Sequence, residues 1–101
     1  MNPFKLSRAA ESDLDGIVEY LTRKAGPGPA IRLVDDFESA FHMLASHPGA
    51  GHRHAYVADP DARVWIVHSY LIIYWPDDVP LGIARVVHGH RDLGNIQTPR
   101  P

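Results

Sequence analysis

The chain has 101 residues, 45% of them apolar and 22% charged, with a formal net charge of −2 when its seven histidines are neutral. That length and balance describe one globular domain, 1–101, and exclude long disorder, a collagen repeat or a coiled-coil rod. The longest apolar run, Tyr70 to Trp75, is far short of the roughly 20 residues that cross a bilayer, and no basic-then-apolar opening segment indicates a signal peptide. The acidic balance weighs against a dedicated nucleic-acid binder. The lack of cysteine removes disulfides, Cys-based zinc sites and thiol nucleophiles, and fits a reducing cytosol.

Phe4 to Leu6 reads as a short first strand, after which Ser7 can cap a helix. Ala10, Leu14, Ile17, Val18 and Leu21 recur at helical spacing, Lys24 lies in the last turn, and Gly26-Pro27 stops the element. Pro29 suits the first turn of a second helix whose buried stripe is Ala30, Val34, Phe37, Phe41, Leu44 and Ala45. It ends around Ser46, before His47-Pro48-Gly49. The short Gly/Pro connection predicts an antiparallel helical hairpin.

Gly49 to His54 reads as a loop or weak edge strand that Tyr56 to Ala58 could extend, followed by an Asp59-Pro60-Asp61 turn. Arg63 to Val67 and Tyr70 to Trp75 are strong strand runs joined by His68-Ser69, a tight hairpin without the usual Gly or Asn. Gly82 to His88 is the last strand, with Ile83, Arg85 and Val87 on one face and Ala84, Val86 and His88 on the other. Strands this apolar on both sides predict helices over one face and partial cover on the second. Asp92 to Ile96 can form a short helical tail, and 97–101 reads as frayed. The expected architecture is α+β: an N-terminal strand and a helical hairpin packed on three or four antiparallel strands.

Four stretches carry a family resemblance. They are Ala10-x-x-Asp13-Leu14-x-x-Ile17-x-x-Tyr20, Ala40-Phe41-x-x-Leu44-Ala45-x-x-Pro48-x-x-Gly51, Arg63-x-Trp65-x-Val67-x-x-Tyr70-Leu71-Ile72-x-Tyr74, and Arg85-Val86-Val87-His88-Gly89-x-Arg91-Asp92-Leu93. In this order, over roughly residues 4 to 96, the chain resembles the ParE/RelE superfamily of bacterial toxin–antitoxin toxins, and its ParE branch in particular. The resemblance implies a cytoplasmic type II toxin that arrests growth and serves plasmid stabilisation, neutralised by a cognate ParD-like antitoxin in a hetero-oligomer. In the ParE branch the target is DNA gyrase, trapped in its cleaved-DNA state. In the RelE branch the activity is ribosome-dependent mRNA cleavage, and a divergent inactive member is a third possibility. No cofactor, membrane contact or sequence-specific nucleic-acid binding is implied.

The branches need different chemistry. Cleavage by a 2′-hydroxyl needs cations on the phosphate and groups that move a proton. Arg63 and Arg85, expected on adjacent parts of the sheet, with His88 or His90 give a candidate set. No lysine follows Lys24, however, and the net charge is acidic. The Arg91-Asp92-Leu93 tail is similar to the ParE branch, where poisoning is a binding event that needs no catalytic group. His88, His90, Arg91 and Asp92 are therefore the expected target-binding residues.

Plainer roles exist for the same residues. Asp92 can cap a short helix with Arg91 pairing beside it, and Arg63 and Arg85 can simply anchor the sheet. Trp65, Tyr70, Tyr74 and Trp75 read as core rather than a base-stacking platform. His52-x-His54 and His88-x-His90 are spaced to share a face, but nothing brings the pairs together, and no metal site is expected. Gly26-Pro27-Gly28-Pro29 is a connector, not a phosphate loop, and no serine has a nucleophile-elbow context. For the antitoxin, Ile17 and Leu21 on the first helix and Leu33 on the second, off its buried stripe, are the expected contacts in a groove or at a sheet edge.

Overall fold

The computed structural model describes residues 2–91 and 96–98. The elements are β1 (Phe4–Leu6), α1 (Arg8–Ala25), α2 (Pro27–Ser46), a single 3₁₀ turn (Pro48–Ala50), β2 (Arg63–Val67), β3 (Tyr70–Trp75) and β4 (Leu81–His88). The Ser7 hydroxyl caps α1 by accepting from the Ala10 amide at 3.0 Å. Gly26 closes α1 and opens α2 at φ +89°, a left-handed region that a glycine enters without a Cβ penalty. No described helix is long and apolar enough to cross a membrane.

The sheet order is β1-β4-β3-β2. β2, β3 and β4 run antiparallel as expected, whereas β1 pairs parallel to β4, Phe4 opposite Leu81 and Leu6 opposite Ile83, so the sheet is mixed. After Leu6 the chain leaves the sheet, and side chains of the next segment take over β4's outer edge. The Ser7 hydroxyl donates to the Ala84 carbonyl at 2.7 Å, and the Val86 amide donates to the Asp13 carboxylate at 3.0 Å.

Both faces of the sheet are covered. Helices and sheet enclose one cluster built on Ala10, Phe37, Phe41, Leu44, Tyr70, Ile72, Tyr74, Ile83 and Val86. The second face buries Val64, Leu71, Ile73, Trp75, Ala84 and Val87 under Val57 and Ala62 from the 52–62 loop and under Ile96. Every residue of β3 is buried, as its two-sided apolarity requires.

Several expectations are corrected here. The register slips between Ile73 and Tyr74: Ile73 opposes Arg85 while Tyr74 opposes Ile83, which leaves Ala84 as a bulge residue. The face assignment of β4 changes accordingly, Ile83 and Val86 lying under the helices and Ala84 and Val87 on the second face. The weak edge strand is a single bridge, His52 to Val64, and 56–58 adds no strand. On α2, Leu33 packs against the core and Val34, expected inside, is 36% exposed. Gln97 and Thr98, expected frayed, are held. The Gln97 carbonyl accepts from Arg85, and the Thr98 hydroxyl reaches Asp59 at 3.5 Å. The helical tail expected from Asp92 lies mostly outside the described residues.

Candidate functional site

The arginines of the catalytic sketch do not meet. Arg63 opposes Tyr74 and alternates with Trp65 on the helix-covered face, whereas Arg85 opposes Ile73 on the other face. Arg85 is also committed. Its Nε and Nη2 hold the Asp13 carboxylate in a bidentate fork at 2.7 and 2.9 Å, and Nη1 donates to the Gln97 carbonyl at 3.0 Å. This is the anchoring role. His88 opposes Tyr70 at the far end of β3 from Tyr74, four residues or about 13 Å from Arg63's neighbour. Among the described residues, no phosphate clamp and proton donor converge on the sheet.

His88, His90 and Arg91 do gather at one corner. His88 Nδ1 accepts from the amides of His90 and Arg91 at 3.1 and 3.3 Å, so the turn after β4 is built on this imidazole. The His88 ring stands edge-on to Tyr70 with centroids 5.3 Å apart, and the His90 ring is 5.9 Å away. The Gly89 amide ties the corner to the hairpin through the Ser69 carbonyl at 2.7 Å. Arg91 lies over the Tyr20 ring of α1 at 4.8 Å rather than on a carboxylate. It lines a cleft of about 310 Å³ with Ser12, Asp13, Gly16, Ile17, Tyr20 and Val86. Asp92, the fourth expected residue, lies outside the described residues. Sequence reasoning missed Tyr20 as part of this corner, although its position in the first-helix pattern was a usable signal.

Tyr70, Tyr74 and Trp75 are core, as expected, and Trp65 is half-buried. Tyr74 donates to the Pro48 carbonyl at 2.7 Å and accepts from the Gly51 amide at 2.9 Å. Burial raises its phenol above the ordinary 10.0, against the lowering effects of the Gly51 amide and Arg63. No group of three or more metal-ligating side chains occurs among the described residues.

A second surface runs along the outer seam of the helical hairpin. Val18, Thr22, Pro27, Ile31 and Val34 line one depression, and Leu6, Leu14, Val18, Val34, Phe37 and Phe41 line the next. Val18 and Val34 are common to both, so the two form one apolar furrow. Ile31 is 60% exposed in it. Of the expected antitoxin contacts, Ile17 lines the Arg91 cleft, Leu21 is half-buried, and Leu33 faces the core. Ile31 and Val34 were missed because Val34 fits the core spacing of α2 and only packing shows which flank stays open.

The family model described as the ParE toxin of type II toxin-antitoxin system, parDE, matches residues 4–93. Toxin ParE1 of Caulobacter vibrioides is 37% identical over 51 residues, 50% of this chain and 53% of that protein, so the chain spans about half the length of the curated relative it matches. A solved structure described as a chromosomal ParDE TA system from P. aeruginosa shares the fold, with a TM-score of 0.71 at 22% identity over 84% of this chain and 92% of the other. With the family match running from β1 to beyond β4, this chain belongs to the ParE toxin family of type II toxin–antitoxin systems.

Proposed function

We propose that this ParE-family toxin acts in the cytoplasm by binding DNA gyrase and trapping its cleaved-DNA complex, and that a ParD-like antitoxin neutralises it. The observation that carries the reading, beside family membership, is the contrast between its two candidate sites. His88, His90 and Arg91 converge on one corner beside Tyr20, while Arg63, Arg85 and His88 are dispersed over two faces and two ends of the sheet. A binding surface for another enzyme fits this arrangement better than acid–base chemistry does. Asp92, by resemblance, is the fourth target-binding residue in this proposal.

The test is induced expression without antitoxin, with DNA and protein synthesis followed side by side over the first minutes. DNA synthesis should fall first, and purified gyrase should accumulate cleaved DNA. Protein synthesis falling first would sink the gyrase reading and favour mRNA cleavage.

The antitoxin occupies the apolar furrow between α1 and α2 as an amphipathic helix in this proposal, with Val18, Ile31 and Val34 as its floor and rim. Ile17, Leu21 and Leu33 are flanking positions. Its binding stabilises the folded toxin by mass action, and the melting temperature of the complex should exceed that of the free toxin.

A further inference from the structure

Away from both surfaces, the 52–62 loop folds back on the start of β2 and brings two cations together. Arg53 Nη1 and Arg63 Nη1 donate to the same Pro60 carbonyl, at 3.2 and 3.1 Å, and Arg63 Nη1 also reaches the Ala62 carbonyl at 2.8 Å. Among the described residues neither guanidinium has a carboxylate partner. Of the loop's carboxylates, Asp59 accepts from the Trp75 indole and the Asp61 amide. Each guanidinium has five N–H donors, and among the described residues Nη1 alone is used on each. Two like charges held on one carbonyl repel each other, and an anion placed against both relieves that repulsion.

Three residues on from Arg53 the same loop carries an exposed ring. Tyr56 is 58% exposed, its ring 5.8 Å from that of His54, and the Tyr56 amide donates to His54 Nδ1 at 3.2 Å, which holds the two rings in one short turn. Guanidinium groups for a backbone, with an exposed ring in the same loop for a base, are the elements of a site for single-stranded nucleic acid. The geometry points to such a site: Arg53 and Arg63 hold a phosphodiester and Tyr56, backed by His54, stacks an unpaired base, without sequence preference. A carboxylate-bearing peptide would use the cations but has no need of the ring. The inference goes beyond gyrase binding and does not depend on it.

The probe is a fluorescein-labelled oligothymidylate of about 12 nucleotides, with a duplex of equal length alongside, titrated at several salt concentrations by anisotropy. The single strand should bind more tightly than the duplex, with a log–log salt slope of about −1.4 for two phosphate contacts. Arg53→Gln should lower the affinity about tenfold and shrink the slope by about 0.7. Tyr56→Ala should weaken the single strand about tenfold and leave the duplex unchanged. Arg63→Gln should act like Arg53→Gln. If it melts abnormally, Arg53→Gln, on an exposed loop position, decides alone. Unchanged affinity in Arg53→Gln and Tyr56→Ala overturns the site. Competition by polyglutamate as effective as that by unlabelled oligothymidylate would also overturn it, in favour of an acidic polypeptide. Gyrase is absent from the assay, so its result and that of the cleavage-complex experiment stand apart.

Discussion

The phenol of Tyr74 joins β3 to the turn after α2 by donating to Pro48 and accepting from Gly51. A Cβ at Gly51 would overlap the Tyr74 hydroxyl and approach the Val64 carbonyl at 2.8 Å, so the glycine leaves room for that contact. Tyr74→Phe strands a partly buried carbonyl and amide and should cost about 1–3 kcal/mol in urea unfolding. Gly51→Ala should destabilise as well, and the two changes should be non-additive, because the added methyl meets the hydroxyl that Phe lacks. The pH dependence has a definite sign. The folded phenol keeps its proton above the ordinary 10.0, so its contribution is full below that pH and is lost as pH rises through the folded pKa. Unfolding midpoints over about pH 9–11 should fall for the native chain and fall less for Tyr74→Phe. His68 shows another residue-scale solution. It takes φ +54° in the two-residue hairpin turn, and its Nε2 reaches Asp36 Oδ2 on α2 at 2.7 Å, a partner no local reading of His-Ser could supply.

At the scale of elements, β1 covers only three residues of β4, and the N-terminal half of α1 seals the rest of that edge as far as Val86. Asp13 accepts from the Val86 amide and from both prongs of Arg85, so one carboxylate fixes the helix, the bulged strand and, through Arg85, the tail. The side chains of Arg85 and Asp13 are mostly buried, 21% and 16% exposed. Asp13→Ala would take the carboxylate from a mostly buried guanidinium and from the Val86 amide and should cost about 3 kcal/mol, read as a lower denaturation midpoint. Ser7→Ala removes a helix cap and an edge donor together and should cost about 1–2 kcal/mol by the same measurement. In α2 the consequence is functional: Ile31→Asp and Val34→Asp change exposed positions, so the fold should persist while antitoxin affinity falls at least tenfold in a binding titration.

At the scale of the molecule, two cores share one sheet, and the second is thin. Its lid is the 52–62 loop plus Ile96, held by Gln97 on Arg85 and Thr98 on Asp59. Truncation after Arg91 removes Ile96 from the second core and should lower the melting temperature and increase binding of a hydrophobic dye. Toxicity lost in that truncation but retained in Asp13→Asn, which keeps the tail while weakening its anchor, would place the target contact in the tail itself.

The sequence by itself determined the elements and their order, because helical spacing, Pro/Gly stops and two-sided apolar strands are local or periodic signals. It also determined the aromatic core and, through four ordered patterns, the family. Only the tertiary structure decided which face each β4 residue takes, because a bulge at Ala84 shifts the alternation and leaves no mark in the strand's own composition. It decided that β1 runs parallel, since a three-residue strand carries no signal of direction. It also decided that Arg63 and Arg85 part company while Arg53 and Arg63 meet, ten residues apart along a loop. Charges are drawn together or separated by the path of the backbone, and that path is set by burial of the apolar faces between them.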